Sequence, residues 1–153
     1  MEIGRYYGAS TLLLALAVGP RGQVTSIDIA PQGDEFLRAA LHRYNLLDRV
    51  GLVVADANSV SLERALDFVF IDGDHSYTGA RRDHNRWMPC LRPGGYLIHH
   101  DMAHTRPHAT QWHSLARLRA EILDQQADQL ELVREVGSLS VFRRLAADFV
   151  PLR

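Results

Sequence analysis

Two short apolar runs end in polar clusters whose side chains can hold a cation or move a proton. Asp67-Phe68-Val69-Phe70-Ile71 leads into Asp72-Gly73-Asp74-His75, and Gly95-Tyr96-Leu97-Ile98 leads into His99-His100-Asp101. Carboxylates suit hard divalent cations, and an imidazole titrates near neutral pH and can take a proton from a hydroxyl. Apolar runs without alternation read as strands buried on both faces, the signature of a parallel sheet. Between them Tyr77 to Met88 has a helical pattern, and Arg92-Pro93-Gly94-Gly95 reads as a turn, giving a strand–helix–strand unit. Ligands in open α/β sheets bind beyond the carboxyl ends of the strands. Asp72, His75, His100 and Asp101 are therefore expected to converge. His99 should face the other side of its strand and be packed or capping.

A second candidate group lies at the N-terminus, in Glu2-Ile3-Gly4-Arg5-Tyr6-Tyr7-Gly8-Ala9-Ser10-Thr11. An acid closes a strand, two glycines let the backbone turn closely, and a helix opens near Ser10 with amides that suit a carboxylate or phosphate. The next strand, Gln23 to Asp28, ends in an acid about 20 residues on, the usual spacing for a ribose-hydroxyl acceptor. Asp28 reads alternatively as a cap for the following helix. Asp56-Ala57-Asn58, after a third buried strand from Val50 to Ala55, either touches a purine edge or caps a short helix over Val60 to Arg64; both readings stand.

The remaining pattern supplies the elements that position these groups. Ala9 to Ala17 is an apolar helix stopped by Gly19-Pro20. Gly33 to Tyr44 is amphipathic, with Phe36, Leu37, Ala40, Leu41 and Tyr44 on one face. An amphipathic helix is expected from about Thr110 to Gln125, then a hairpin of Leu130–Val136 and Leu139–Arg143 around Gly137-Ser138. Trp87 and Trp112 read as core or interface residues, Arg81-Arg82 as a solvated helix face, and His104 and His108 as solvated loop residues. Thr11 to Val18 also fits a secretory h-region, but Glu2 and Arg5 make a poor flank for one. The chain has 153 residues, 46% hydrophobic and 23% charged, which fits one soluble globular domain. Its net charge of −1 offers no pull toward nucleic acid or anionic lipid. A single cysteine, Cys90, excludes an internal disulfide and fits the reducing cytoplasm.

Taken in order, these motifs resemble class I S-adenosylmethionine-dependent methyltransferases. The motifs are Glu2-Ile3-Gly4 with Gly8 and Ser10-Thr11, Ile27-Asp28, Ala55-Asp56-Ala57, Phe70-Ile71-Asp72-Gly73-Asp74-His75-Ser76-Tyr77, and Leu91-Arg92-Pro93-Gly94-Gly95-Tyr96-Leu97-Ile98-His99-His100-Asp101. Within that class they are most similar to metal-dependent small-molecule O-methyltransferases of the macrocin O-methyltransferase and cephalosporin-hydroxylase-like branch. The resemblance implies a Rossmann-like, mostly parallel seven-stranded sheet with helices on both faces and a C-terminal antiparallel hairpin. It implies one domain over residues 1–153, with a short first strand and without the family's N-terminal cap helices. The cofactor site would then be either open or completed by a partner chain, as in a homo-oligomer. Glu2, Gly4, Gly8 and Ser10 would bind the methionine part of the cofactor, Asp28 the ribose, and Asp56 and Ala57 the adenine. Asp72 would also lie against the cofactor. Asp72, His100 and Asp101 would hold Mg2+ or Mn2+, with His75 as general base and Asp72 assisting. The implied acceptor is a hydroxyl of a sugar, phenolic or natural-product small molecule. Competing readings are an inactive cofactor-binding or dimerisation module derived from this fold, and a nicotinamide-binding oxidoreductase domain. The four-residue glycine spacing and the terminal hairpin weigh against the last.

Overall fold

The computed structural model describes residues 1–62, 65–103, 113–145 and 148–152. His104, His108 and Trp112, the start of the helix expected from Thr110, and the end of the short helix expected at Arg64 lie outside the described residues. Seven strands form a mostly parallel sheet with an antiparallel C-terminal pair. The chain divides into two compact units, Met1–Val60 and Ser61–Arg153.

In the first unit the strands β1 (Glu2–Ile3), β2 (Val24–Asp28) and β3 (Val50–Val54) run parallel in the order β3-β2-β1. Helix α1 (Ala9–Ala17) follows β1, and α2 (Asp34–Arg43) follows β2. Two details differ from the sequence pattern. On α2 only Leu37 and Leu41 are buried; Phe36 and Tyr44 are 77% and 52% exposed. Ala40 is half-buried between them. Leu37 and Leu41 stand one turn apart, a narrower stripe than the five positions allow. And β3, read as a buried strand, ends the sheet order and is only partly covered, with Val54 half exposed. An apolar run alone does not separate an edge strand from a central one.

In the second unit the strands β4 (Leu66–Ile71), β5 (Leu91–His99), β6 (Leu130–Val136) and β7 (Leu139–Arg144) lie in the order β4-β5-β7-β6. β4 and β5 are parallel; β7 pairs antiparallel with both β5 and β6. Helix α3 (Tyr77–Trp87) buries Ala80, His84 and Trp87, and α4 (His113–Gln125) buries Leu115, Leu118 and Ile122, each at helical spacing. The Arg92–Gly95 turn is absorbed into β5. Leu66 pairs with Leu91, and Phe68 already pairs with Tyr96, so the intervening residues bulge out of the ladder. Arg81 of the presumed solvated face instead donates to the Leu152 carbonyl at 2.7 Å. His99 is packed: it is 1% exposed, with Nε2 3.1 Å from His84 Nδ1, while His84 Nε2 meets Gln126 Oε1 at 2.7 Å. Burial holds both histidines neutral, pushing His84 down to about 4 against its bond to Gln126, and His99 well below its ordinary value with the His84 charge adding to it.

Candidate active site

In the first unit the turn between β1 and α1 is a close bend. Gly4 and Gly8 take φ +82° and +85°. A Cβ on Gly8 would lie 2.6 Å from a Leu37 methyl, so α2 packs where no side chain fits. Tyr6 also takes a positive φ, 50°. The Asp28 carboxylate holds the bend: Oδ2 accepts the amides of Arg5 and Tyr6, each at 2.9 Å. Oδ1 accepts the Ala30 amide at 3.0 Å, which leaves it one lone pair for a further donor. Burial raises the Asp28 carboxyl, but the Ala30, Tyr6 and Arg5 amides and the Arg5 charge outweigh it and hold it below its ordinary value.

Arg5, which the sequence pattern gave no role, is 2% exposed beneath the bend. Its guanidinium grips Asp34 at 2.7 and 2.9 Å and caps the carbonyls of Ser26 and Val53 at 3.2 and 2.9 Å. Only Asp34, an acid at the first position of α2, hinted at such a partner. Glu2 is fully buried; its Oε2 accepts the hydroxyls of Thr11 and Ser26 at 2.5 Å each, and its Oε1 has no partner among the described residues. Ser10 lies in the first turn of α1, whose N-cap, Gly8, supplies no side-chain bond, so the opening amides suit a carboxylate. Asp56 caps a 3-10 turn at Ala57–Ser59 through the Asn58 amide at 2.9 Å, and Ala57 is buried. Val60 to Leu62 carry no helix. The uncapped helix start, the bend closed to any Cβ and the remaining acceptor on Asp28 fit the amino-acid and ribose ends of an S-adenosyl nucleoside.

In the second unit four side chains meet past the ends of β4 and β5. His75 Nε2 lies 3.2 Å from Asp72 Oδ1. His100 Nδ1 lies 3.1 Å from the same oxygen and 3.2 Å from Asp101 Oδ2, yet it is aligned for a hydrogen bond to neither. Ser138 Oγ, in the hairpin turn, is 3.5 Å from His100 Nε2. Asp101 takes φ +56°, a conformation few non-glycine residues adopt. Asp72, His75 and Asp101 each offer a ligand atom within 4.8 Å of the others, so the donor set fits a divalent cation. Burial raises the Asp72 carboxyl, and the His100 and His75 imidazoles outweigh it and hold it below its ordinary value. The Asp72 contact lifts His75 and His100 above theirs, against burial. The loop is fixed locally: Asp74 accepts the Ser76 amide at 2.8 Å, and Ser76 caps α3 through the Gly79 amide at 3.1 Å. Tyr77 then donates to Glu121 of α4 at 2.5 Å beneath the Arg117 guanidinium, contacts that no motif announced.

Residues 1–102 match a family model described as a methyltransferase domain. Over 77 residues the chain is 39% identical to the catechol O-methyltransferase of Mycobacterium tuberculosis, covering 48% of this chain and 35% of that protein. Over 143 residues it is 25% identical to the caffeoyl-CoA O-methyltransferase of Populus kitakamiensis, covering 89% and 56%. The chain thus spans from about a third to a little over half of these curated relatives. An O-methyltransferase from Bacillus cereus, solved with S-adenosylhomocysteine, superposes with a TM-score of 0.67 at 20% identity, over 94% of this chain and 72% of that one. The S-adenosylhomocysteine-bound methyltransferase of Podospora anserina gives 0.72 at 18%, over 94% and 70%. A protein described as a putative rRNA methylase from Clostridium thermocellum gives 0.71 at 17%, over 94% and 88%, so the fold alone does not choose the acceptor.

Proposed function

Since the chain belongs to the methyltransferase-domain family, we propose that it is an S-adenosylmethionine-dependent O-methyltransferase acting on a hydroxyl of a small phenolic, sugar or natural-product acceptor. The observation that carries the hydroxyl reading is the His75–Asp72 pair at 3.2 Å, with Asp101 within ligand reach of both. When bound, the nucleoside supplies an electrophilic sulfonium methyl, and the divalent cation lowers the pKa of the acceptor hydroxyl. Asp28 accepts the ribose hydroxyls, and the amides opening α1 hold the amino-acid carboxylate. Glu2, Gly4, Gly8 and Ser10 shape that end of the site, and Asp56 and Ala57 the adenine end. Asp72, His100 and Asp101 hold Mg2+ or Mn2+. His75, whose Nε2–H donates to Asp72 Oδ1 at 3.2 Å, takes the acceptor proton at Nδ1, and the Asp72 carboxylate stabilises the imidazolium that results. Asp72 also bounds the cofactor.

The reading extends to one functional domain over residues 1–153, a cytoplasmic homo-oligomer that engages neither nucleic acid nor membrane. Among the described residues no helix is long and apolar enough to cross a membrane. The test is Asp101→Ala, assayed with S-adenosylmethionine and a catechol at several metal concentrations. Metal-dependent turnover should vanish while S-adenosylhomocysteine affinity stays within about twofold of wild type; retained turnover would remove Asp101 from the site.

A further inference from the structure

Resting on the reading above, we propose that Asp72, His100 and Asp101 form a mixed carboxylate–imidazole site that selects a transition metal such as Mn2+, Co2+ or Zn2+ over Mg2+. The spacing is that of neighbouring ligands on one ion. Donors bound at about 2.1 Å lie roughly 3.0 Å apart on an octahedron and roughly 3.4 Å apart on a tetrahedron. His100 Nδ1 sits 3.1 Å from Asp72 Oδ1 and 3.2 Å from Asp101 Oδ2.

The orientation of the ring is the second observation. His100 Nδ1 is a buried atom that faces two carboxylates without hydrogen-bond alignment to either. The other ring nitrogen lies toward the Ser138 hydroxyl. Two carboxylate oxygens and an imidazole nitrogen gathered at these distances form a donor set that a single cation can join. The left-handed backbone of Asp101 brings its carboxylate to this point at some conformational cost, as residues at ligand clamps often do. A nitrogen donor decides the class of cation. Mg2+ keeps oxygen ligands and gives up water reluctantly, whereas imidazole suits the first-row transition metals.

The test is calorimetry of metal-stripped protein with Mg2+, Mn2+, Co2+ and Zn2+, together with the visible spectrum of the Co2+ form. Wild type and His100→Asp are compared, and S-adenosylhomocysteine is titrated into each sample. In wild type Co2+ should bind on the order of 100-fold tighter than Mg2+ and show absorption bands of a nitrogen-ligated ion. His100→Asp, which makes the donor set all oxygen, should narrow that ratio roughly tenfold or more and shift the bands, leaving nucleoside affinity unchanged. Should that variant not fold, the wild-type series decides alone. Equal affinity for Mg2+ and Co2+, or no metal uptake because a protonated His100 already serves as the cation between the carboxylates, overturns the proposal. Nucleoside binding without metal preference sinks this inference and spares the methyltransferase reading. Metal preference without nucleoside binding does the reverse.

Discussion

Both the glycine bend of the first unit and the acid–imidazole cluster of the second gather charge out of water, but they satisfy it differently. Beneath the bend Arg5 meets a carboxylate and two carbonyls, and Asp28 takes three amides. Nearly every polar atom is engaged, and the backbone is held in one shape before any ligand arrives. At the cluster, two imidazoles crowd one oxygen of Asp72, and His100 Nδ1 is aligned with neither acid. A polar network that is fully paired fixes structure; one left partly paired is waiting for a proton, a cation or a substrate. The bend of the first unit is thus a mould, and the cluster of the second is a set of donors left open to a ligand.

The comparison breaks most readily at Arg5. Arg5→Met leaves the Asp34 carboxylate and two strand-end carbonyls without their partner and should destabilise the protein by about 3–5 kcal/mol, read by urea denaturation. Arg5→Lys should recover only part of this, because an ammonium cannot grip Asp34 with two parallel bonds. A loss below about 1 kcal/mol would mean that the bend does not depend on the guanidinium.

The next effect separates the packed histidines from those of the cluster. His84 is held to about 4 in the folded state against an ordinary 6.5. Unfolded chains bind the proton first as pH falls, so this group's share of stability is present above pH 6.5 and lost on descending toward 4, amounting to about 3 kcal/mol. His75 and His100 are raised, so their share is present below 6.5 and lost as pH climbs through their folded values. Denaturation curves between pH 4 and 7 should therefore lose stability on the acid side, and His84→Gln should flatten that slope. A flat wild-type profile would mean that water reaches the His84–His99 pair. The smallest effect belongs to a surface pair: Arg92 and Asp67, at 2.6 Å but 53% and 80% exposed, should cost under about 0.5 kcal/mol when Arg92 becomes Ala.

The sequence was most informative where a local rule governs. Period and punctuation placed α1, the hairpin, β4 and α3 within a residue or two. The rule that consecutive strand residues face opposite sides separated His99 from His100 on pattern alone. It was least informative where a side chain acts over distance. Arg5 looked like one basic residue in a loop, because its partners lie 21 to 48 positions away. Phe36 and Tyr44 matched a helical face that the narrow contact of α2 does not cover. The Arg92–Gly95 segment carried every sign of a turn and still belongs to β5, because pairing with β4 on either side outweighs local preference.

The most direct measurement is calorimetry of S-adenosylhomocysteine binding to wild type and to Asp28→Ala. The account predicts one nucleoside per chain, weakened at least about tenfold in the variant, as expected when buried donors lose a charged acceptor. No binding to wild type, or equal binding to both proteins, would contradict it.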